Sequence, residues 1–555
     1  MAEERAVDRE RAGANALGAA GAQNPSSVKS IQQFALPHAA NPEGNSSEDG
    51  ARTVDRREAS GAHGMKTAGY VGLDVGGTGA RAGVFDDVGK LLGFGRSDLT
   101  PTTPSEGRAE IDIDDIYEAA RKSVAAAVRE SGADIRALCV SSQGQTFVTL
   151  DADDRPLHPA FLWYDSRAAE QAEALRDTVI SSGSSSPIPA IEAIATAPKI
   201  IWLRESHPDV MSRARRYLLL PEYLSYRLTG EAVTDPSTAQ STGLYADDAP
   251  GYSPESLAAA QIDETQIARI QLPGTPVATV RSDIADNWGL SSQTLVVTGT
   301  NDQYAGALGA GNSRPGIVSE TTGTCLALVT LTETLPKSMP DGFLSGRFPI
   351  SRYRFVLAYS KTAGVVLEWF NRQMCPDKTL AQLDSMAAEV PVGSRGITIL
   401  PHFDGTVSPW PNPRARGFIC NLSLNHTVAD IFRALLESIS FSLRENLEAM
   451  RTAGFEPECI RSIGGGAASD FWVQMKADVT KVRVERPLIA EAATLGAAML
   501  AAVGAQRFSS IQESCDAFYR PGRIFSPNAA NHALYESPYA AYRDLCARVY
   551  AQTSG

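Results

Sequence analysis

The sequence has few of the features that mark disulfide-rich, zinc-binding or membrane proteins. Its seven cysteines form no C-x-x-C pair and are odd in number, which argues against a disulfide framework and a zinc knuckle. Its longest apolar runs, such as residues 496–503, fall well short of the roughly 18–20 residues that a membrane span needs. We therefore expect a soluble protein of a reducing cytoplasm, with no membrane partner.

Basic residues are in the minority. There are 51 lysines and arginines against 64 acids, which gives a formal charge of −13 and argues against a broad surface for nucleic-acid phosphates. We expect small-molecule partners and no nucleic acid. The 555 residues are 43% hydrophobic, so each domain can bury a core, and about 150 residues per domain suggests roughly two to four domains.

Residues 1–64 differ in composition from the rest of the chain. One aromatic residue, Phe34, stands among charged residues, Ala, Gly, Ser, Asn and Pro. Such a segment buries too little apolar surface to offset the entropy lost on ordering. It lacks the apolar stretch of a secretory signal, and it has too many acids for a transit peptide. We expect residues 1–64 to form a disordered tail without a catalytic role.

From Tyr70 onward the hydrophobic pattern is typical of an α/β protein. Residues 70–75 and 81–86 predict two strands around a glycine-rich turn, and an amphipathic helix follows that ends near Gly132. The second half repeats this plan, with strand, turn and strand over 316–329 and a long amphipathic helix around 431–447. Two copies of one plan predict two related domains with a cleft between them.

Three glycine-rich turns follow predicted strands and are candidates for holding phosphates. Phosphoryl transfer needs backbone N–H groups close to the phosphates, a carboxylate for magnesium and a base near the acceptor hydroxyl. The turns lie at residues 74–81, 321–324 and 464–478. Taken singly, the first is more typical of an ordinary hairpin, and close helix–strand packing is an alternative for the third. Neither a Walker A motif nor a Rossmann fingerprint occurs.

A candidate base, Asp302, follows the apolar strand predicted at 294–298 and precedes a helix of small residues. A carboxylate at such a junction can cap the helix. It can equally accept a proton from a substrate hydroxyl at the bottom of a cleft. The sequence pattern leaves both roles open.

Taken in order, these segments resemble the FGGY family of carbohydrate kinases, in the actin, Hsp70 and sugar-kinase superfamily. Residues 162–167 are similar to the W-x-D-x-R stretch of the family, and residues 196–202 to the T-A-P-K-x-x-W signature of its xylulose kinases. The resemblance runs from about Tyr70 to Gly504 and covers nearly all of the chain that is expected to be ordered.

The resemblance implies an α/β fold of two RNase H-like domains with an interdomain cleft. The expected domains are a sugar-binding domain at 66–312 and a nucleotide-binding domain at 316–545. The implied activity is ATP-dependent phosphorylation of a terminal hydroxyl of a small sugar, and the T-A-P-K signature favours a ketopentose. Alternatives are a kinase of a pentitol, tetritol, hexulose or glycerol, or a non-catalytic, nucleotide-gated sugar sensor. Whether the protein forms a homodimer stays open.

The family's functional residues carry over to positions of this sequence that match its motifs. Asp302 matches the catalytic base, and Asp74 matches the acid that organises Mg²⁺, directly or through water. Nucleotide contacts are implied for the three turns, at Gly76, Gly77, Thr78, Gly79, Arg81, Thr322, Gly323, Thr324, Gly464, Gly465, Gly466 and Ser469. Substrate contacts are implied for Gln143, Gly144, Gln145, Trp163, Asp165 and Gln303.

The sequence departs from the family at the turn that contacts the sugar. Xylulose kinases carry Gln-Met-His-Gly there and glycerol kinases Asn-Gln-Arg-Glu-Thr; Gln143 fits both, but Gly144 and Gln145 fit neither. A neutral amide cannot form the charge-assisted hydrogen bonds of arginine and glutamate. The identity of the sugar therefore stays open. The stretch from Trp163 to Arg167 is also typical of a structural ion pair.

Overall fold

A computed structural model of the chain describes residues 66–181, 191–247 and 251–550. The predicted disordered tail, residues 1–64, lies outside the described residues. Within these ranges, no helix combines the length and the apolarity that crossing a bilayer requires.

The part of the chain before residue 310 alternates strands with helices. Its strands are β1 (Ala68–Gly76), β2 (Gly79–Phe85), β3 (Leu91–Asp98), β4 (Glu110–Ile111), β5 (Asp134–Ser142), β6 (Phe147–Leu150), β7 (Ala160–Phe161), β8 (Arg216–Leu219), β9 (Val233–Thr234), β10 (Tyr245–Ala246), β11 (Gly251–Tyr252), β12 (Arg269–Ile270), β13 (Pro276–Thr279) and β14 (Leu295–Val297). Its helices are α1 (Ile113–Ser131), α2 (Ala169–Ser181), α3 (Thr196–Ser206), α4 (Pro208–Arg213), α5 (Leu220–Thr229), α6 (Pro236–Ala239), α7 (Pro254–Ala260), α8 (Ser282–Ala285) and α9 (Asp302–Gly309).

The part after residue 316 has the same alternation. Its strands are β15 (Ile317–Thr322), β16 (Leu326–Thr332), β17 (Leu344–Arg347), β18 (Arg354–Ser360), β19 (Thr398–Leu400), β20 (Phe418–Cys420), β21 (Cys459–Ile463), β22 (Arg483–Pro487) and β23 (Pro521–Phe525). Its helices are α10 (Gly364–Met374), α11 (Leu380–Ala388), α12 (Val428–Thr452), α13 (Asp470–Thr480), α14 (Ala492–Gly504), α15 (Ile511–Phe518) and α16 (Ala529–Tyr550).

The two central sheets share one strand order, apart from an additional edge strand, β17, in the second. The first runs β13-β14-β5-β1-β2-β3 and the second β17-β18-β16-β15-β21-β22-β23. In both, β1 or β15 pairs antiparallel with the next strand in the chain (β2 or β16) and parallel with β5 or β21. A further parallel strand and then an antiparallel edge strand complete each sheet on that side. The repeated plan in the sequence is thereby confirmed as two copies of one sheet.

Local sequence signals explain where the long helices start and stop. Helix α1 begins after Asp112, whose side chain accepts a hydrogen bond from the Asp114 N–H, and it ends at Gly132 in the left-handed conformation (φ 58°). Its apolar face packs on β2 and β3 and contributes Ile116, Ala120 and Val124 to the first core. Helix α12 precedes β21 in the chain as α1 precedes β5, and it is buried along most of its length.

Helices α9 and α14 pack against each other where the two halves of the molecule meet. The approach is close: a Cβ on Gly309 would lie 1.8 Å from the Ala492 carbonyl oxygen, and one on Gly496 would lie 1.9 Å from that of Ala305. Helix α14 also lies on β1, where a Cβ on Gly72 would meet the Thr494 carbonyl oxygen at 1.8 Å. These glycines let the helix pair bring the ends of both sheets together.

Candidate active site

The first glycine turn is the tight end of the β1–β2 hairpin. Gly76 pairs with Gly79, so that Gly77 and Thr78 form the turn, and Asp74 lies opposite Arg81 across the two strands. The Arg81 Nη1 atom is 3.9 Å from Asp74 Oδ2, and Arg81 Nε is 3.8 Å from Glu491 Oε2 at the start of α14. The turn therefore combines exposed backbone with one arginine held between two carboxylates.

Asp74 is a buried carboxylate whose negative charge is only partly balanced by neighbouring groups. Its Oδ1 atom has no hydrogen-bond partner among the described residues. Burial, together with the negative charges of Asp302 and Glu491 and against the opposing effect of Arg81, raises the pKa of Asp74 to about 7. A bound cation would stabilise a carboxylate of this kind, because one of its oxygens has no partner and the nearby charges are negative.

Asp302 opens helix α9 directly after the loop that follows β14. The helix cap is Asn301, whose side-chain oxygen accepts a hydrogen bond of 3.0 Å from the Gln303 N–H. Asp302 Oδ1 also accepts from that N–H at 2.7 Å, while burial raises the pKa of the carboxyl. Asn301 is therefore the N-cap residue, and Asp302 shares the Gln303 N–H with it from the first turn of the helix.

A buried hydrogen-bonded brace lies behind the Asp302 loop. Asp235 caps helix α6 and accepts from the Ser237 N–H at 2.9 Å. Ser237 Oγ lies 2.6 Å from Thr300 Oγ1, and that Thr300 hydroxyl donates to Asp235 Oδ2 at 3.2 Å. Because Thr300 lies two residues before Asp302, the brace fixes the backbone that carries the carboxylate. The site residues predicted from the sequence did not include this T-D-P-S-T-A segment, residues 234–239.

The second and third glycine turns contact each other in the second half. Gly464 adopts φ +80°, and a Cβ there would lie 2.8 Å from the Thr322 carbonyl oxygen. A Cβ on Gly466 would lie 2.6 Å from Thr322 Cβ. Both glycines are thus needed for the turns to meet. Ser469 is already engaged, since its hydroxyl caps α13 through the Trp472 N–H at 2.9 Å and donates to Asp384.

A fully buried ion pair lies beneath these two turns. Lys476 Nζ is 3.0 Å from each carboxylate oxygen of Glu320 and 3.0 Å from Thr322 Oγ1. Ser462 Oγ also donates to Glu320. Burial lowers the pKa of Lys476, whereas the Glu320 carboxylate opposes that shift. The pair holds the end of β15 against α13. This ion pair was not predicted from the sequence. The signal for it was a single lysine, Lys476, between the apolar residues Met475 and Ala477 of α13.

Replacing Lys476 with methionine is expected to destabilise the protein by about 3–5 kcal/mol, because the Glu320 carboxylate would stay buried without its partner. Urea denaturation measures this loss. The double variant Lys476→Met/Glu320→Gln should recover part of it, since no uncompensated charge remains. Lys378→Met, at a surface pair with Asp377, serves as the control and should change stability by less than about 1 kcal/mol. A single variant as stable as the wild type would refute this account of the pair.

A cavity of about 510 Å³ lies between the two sheets and is lined by residues from both halves of the chain. From the first half it receives Gln143, Gly144, Gln145, Trp163, Glu192, Ile194, Ala195, Ser237, Gln240, Ser241, Asp247, Asn301, Asp302, Gln303 and Tyr304. From the second half it receives Cys325, Ala327, Phe343, Leu344, Ser345, Phe355, Leu357 and Tyr359. It thus gathers the candidate base and all the predicted substrate contacts except Asp165.

Asp165 lies away from the cavity and holds a loop together. Its fully buried carboxylate accepts from the Ala109 N–H at 2.7 Å and from Arg167 Nη2 at 2.7 Å. The Arg167 guanidinium in turn lies 3.9 Å over the Phe161 ring. In place of the predicted substrate contact, we propose a positioning role for Asp165, because this ion pair fixes the loop from which Trp163 reaches the cavity.

The T-A-P-K stretch supports the same loop. Lys199 on helix α3 is fully buried, and its ammonium group donates to the Leu162 carbonyl oxygen at 2.8 Å. Burial lowers the pKa of this amine to about 7. The T-A-P-K signature thus supports the backbone at Leu162, which directly precedes Trp163 in the loop.

The departure at Gly144 and Gln145 has a steric reason. A Cβ on Gly144 would lie 2.6 Å from Ser241 Oγ and 3.0 Å from Asn301 Nδ2, so a larger residue would push both from the cavity wall. Gln145 adopts the left-handed conformation (φ 63°), and Gln143 Nε2 donates to Thr146 Oγ1 at 2.9 Å. The turn therefore presents neutral amides to the cavity.

Contacts between the two halves close one side of the cavity. Gln240 accepts a hydrogen bond of 3.0 Å from the Arg347 N–H, and Arg347 Nε donates to Asp247 Oδ1 at 3.1 Å. Arg354 also pairs with Asp247. These residues carried no signal in the sequence, because each faces its partner only after β17 and β18 have paired.

The duplicated sheet, the glycine turns at its strand ends and the carboxylate in the cleft define a two-domain phosphotransferase of the actin, Hsp70 and sugar-kinase type. Models of the FGGY family of carbohydrate kinases match the chain at residues 69–309 (N-terminal domain) and 320–505 (C-terminal domain). The chain belongs to this family. It is a carbohydrate kinase, and ATP is its co-substrate.

Related proteins and solved structures cover most of the chain. The xylulose kinase of Haemophilus influenzae is 29% identical over 505 residues, which span 87% of this chain and all of the relative. That of Staphylococcus epidermidis is 28% identical over 492 residues, spanning 87% of this chain and 96% of the relative. A xyloylose kinase from Brucella ovis has a TM-score of 0.80 at 26% identity, covering 87% of this chain and 100% of that one. A gluconate kinase from Lactobacillus acidophilus scores 0.77 at 24% identity, with 88% and 100% covered.

Proposed function

We propose that this enzyme transfers the γ-phosphoryl group of ATP to a terminal hydroxyl of a ketopentose similar to xylulose. The observation that carries the proposal is the position of Asp302, which opens helix α9 next to the N-cap residue Asn301 and lines a cavity between the two domains. The names of the relatives support the same substrate class. We assign residues 66–312 to the sugar-binding domain and 316–545 to the nucleotide-binding domain.

In this proposal Asp302 accepts the proton of the attacking hydroxyl. Its carboxylate must then be ionised, so activity should fall as the pH decreases through its raised pKa. Gln143, Gln145 and Gln303 would orient the other hydroxyls through amide hydrogen bonds. The backbone of the three glycine turns and Arg81 would hold the triphosphate between the domains.

Asp74 is the residue that would hold Mg²⁺. Its unpartnered oxygen and the nearby charges of Asp302 and Glu491 suit a divalent cation. No group of three or more candidate metal-ligating side chains occurs in the described part of the chain. That suits Mg²⁺, which commonly binds one or two carboxylates and takes its other ligands from water and substrate phosphates. When bound, the ion neutralises charge on the transferred phosphate.

The charge of the cavity gives a test of the substrate class. No lysine, arginine or histidine is among the described residues that line it, whereas Glu192, Asp247 and Asp302 are, and of these Asp247 is paired with Arg347 and Arg354. A sugar carboxylate would meet like charge there without a compensating cation. We therefore expect xylulose to support ADP release and gluconate to be at least about 100-fold poorer in kcat/KM. A coupled ADP-release assay across ketopentoses, pentitols, tetritols, ketohexoses, glycerol and gluconate measures this. Preference for gluconate would overturn the proposed substrate class.

A further inference from the structure

A second, much smaller cavity lies beside the loop that leads to Asp302. Its volume is about 10 Å³, which is room for about one water molecule. Strands β5 and β9, helices α5 and α6 and residues 298–300 form its walls. It shares no described lining residue with the cavity between the domains, so it is a separate site.

Two buried hydroxyl groups line this small cavity. Thr234 and Thr298 are only 4% and 2% exposed, and neither Oγ1 atom forms a hydrogen bond with another described residue. Thr234 also faces the buried Glu222 carboxyl and opposes the rise of its pKa to about 7 that burial causes, but that contact falls short of hydrogen-bond geometry. Buried hydroxyls without partners are unfavourable, so two of them around one space indicate a shared polar ligand.

The Asp235 carboxylate is a third polar group in the wall of this cavity. Its Oδ2 atom accepts hydrogen bonds from the Ser237 N–H and from the Thr300 hydroxyl. Among the described residues, its Oδ1 atom accepts only from the Thr238 N–H, at 3.2 Å. A carboxylate oxygen has two lone pairs, so Oδ1 can accept a further hydrogen bond from a ligand in the cavity.

We propose that this cavity holds one structural water molecule, bound by Thr234, Thr298 and Asp235, and that Thr298 acts through it as a positioning residue for Asp302. The Thr298 hydroxyl donates to the water, and the water donates to Asp235 Oδ1 and Thr234 Oγ1. Three polar partners are typical of a buried water. The water site is independent of the proposed kinase function, whereas the positioning role rests on it, because Asp302 is the proposed base.

The water completes the support of the segment that leads to Asp302. Thr298 lies where this segment leaves β14, and a Cβ on Gly299 would lie 1.8 Å from a carbonyl oxygen of β5, so the backbone is closely packed there. Thr300 is held by Asp235. Through the water, Thr298 is tied to the same carboxylate. Loss of the water therefore loosens one of the two ties of this segment to Asp235.

A high-resolution crystal structure of the full chain tests the water site directly. We expect one ordered water at about 2.7–3.0 Å from Thr298 Oγ1, Thr234 Oγ1 and Asp235 Oδ1. A cavity without ordered density would overturn the proposal. Density with contacts of about 2.3–2.6 Å would overturn it as well, because such distances indicate a metal ion such as Ca²⁺.

Thr298→Val tests the positioning role, because valine has nearly the same shape but cannot bind the water. In the ADP-release assay at saturating ATP and xylulose, kcat should fall about tenfold, while the Kd of ATP from calorimetry should stay within about twofold. Thr298→Ser keeps the hydroxyl and should retain kcat within about twofold of the wild type. Thr178→Val makes the same change at an exposed threonine of α2 and should leave kcat unaltered.

Thr234→Val removes another partner of the water and should lower kcat in the same direction. Melting temperatures show whether each variant is folded, and Thr234→Val carries the test if Thr298→Val is not. Wild-type kcat in the folded valine variants, or a Thr298→Ser variant as slow as Thr298→Val, would overturn the positioning role. If the wild type phosphorylates no sugar, the proposed function fails, while the crystal structure still decides the water site.

Discussion

Replacing Asp302 with asparagine is expected to lower kcat by about 10³-fold, because an amide cannot accept the proton of the attacking hydroxyl. The side chain stays nearly the same size, and Gln303 keeps its hydrogen bond to the cap residue Asn301. Helix α9 and the cavity should therefore be preserved. ADP release at saturating sugar measures the loss, and calorimetry of ATP binding should show an affinity within about twofold of the wild type.

The matched control for this variant is Asp283→Asn. Asp283 is an exposed carboxylate of the same domain and is paired with Arg281 at 2.7 Å. Surface pairs of this kind contribute little to stability, so the control should keep both activity and stability. If Asp302→Asn turned over sugar at close to the wild-type rate, the base would have to be a different residue.

Replacing Asp74 with asparagine should abolish most kinase activity and, at pH 8, make the protein more stable than the wild type. Burial, with the charge of Asp302, raises the pKa of Asp74 from 3.8 to about 7. Between these two values the folded protein binds a proton that the unfolded chain has released, so the contribution of Asp74 to stability falls as the pH rises through this window. One unit of pKa corresponds to about 1.4 kcal/mol, so the variant should gain up to a few kcal/mol above pH 7.

Urea denaturation from pH 4 to pH 8 measures this difference. The wild type and Asp74→Asn should have similar stability near pH 4, where the wild-type carboxyl is largely protonated when folded, and they should diverge as the pH rises. Added Mg²⁺ at pH 8 should stabilise the wild type and have little effect on the variant. If the free energy of unfolding changed with pH in the same way in both proteins, the pKa of Asp74 would not be raised by folding. Asp283→Asn again provides the control.

Much of the architecture could be predicted from the sequence, because its signals are local. Alternation marked β1 and β15, and glycine marked the end of α1 at position 132. The repeated order of these signals predicted two related domains, and the sheet topology with the family comparisons confirms this fold. The order of the motifs along the chain also indicated the family.

The candidate site was predicted in part. Gln143, Trp163 and Gln303 line the cavity together with Asp302, as the carried-over motifs suggested, and their contacts with substrate stay predictions. Asp165 belongs to the same motif as Trp163 but is buried against Arg167. A motif fixes the order of residues along a loop, whereas the packing around the loop decides which of its side chains points into the cavity.

The sequence by itself determined the family, the repeated plan and the position of the acid at residue 302, because periodicity, glycine placement and motif order are properties of short segments. Only the tertiary structure decided that Lys476 neutralises Glu320 and that β16, β17 and β18 supply one wall of the cavity opposite the amides. Each of these depends on residues far apart in the chain. Their contacts, and the pKa shifts that burial causes, arise only once both sheets have formed and packed around α9 and α14.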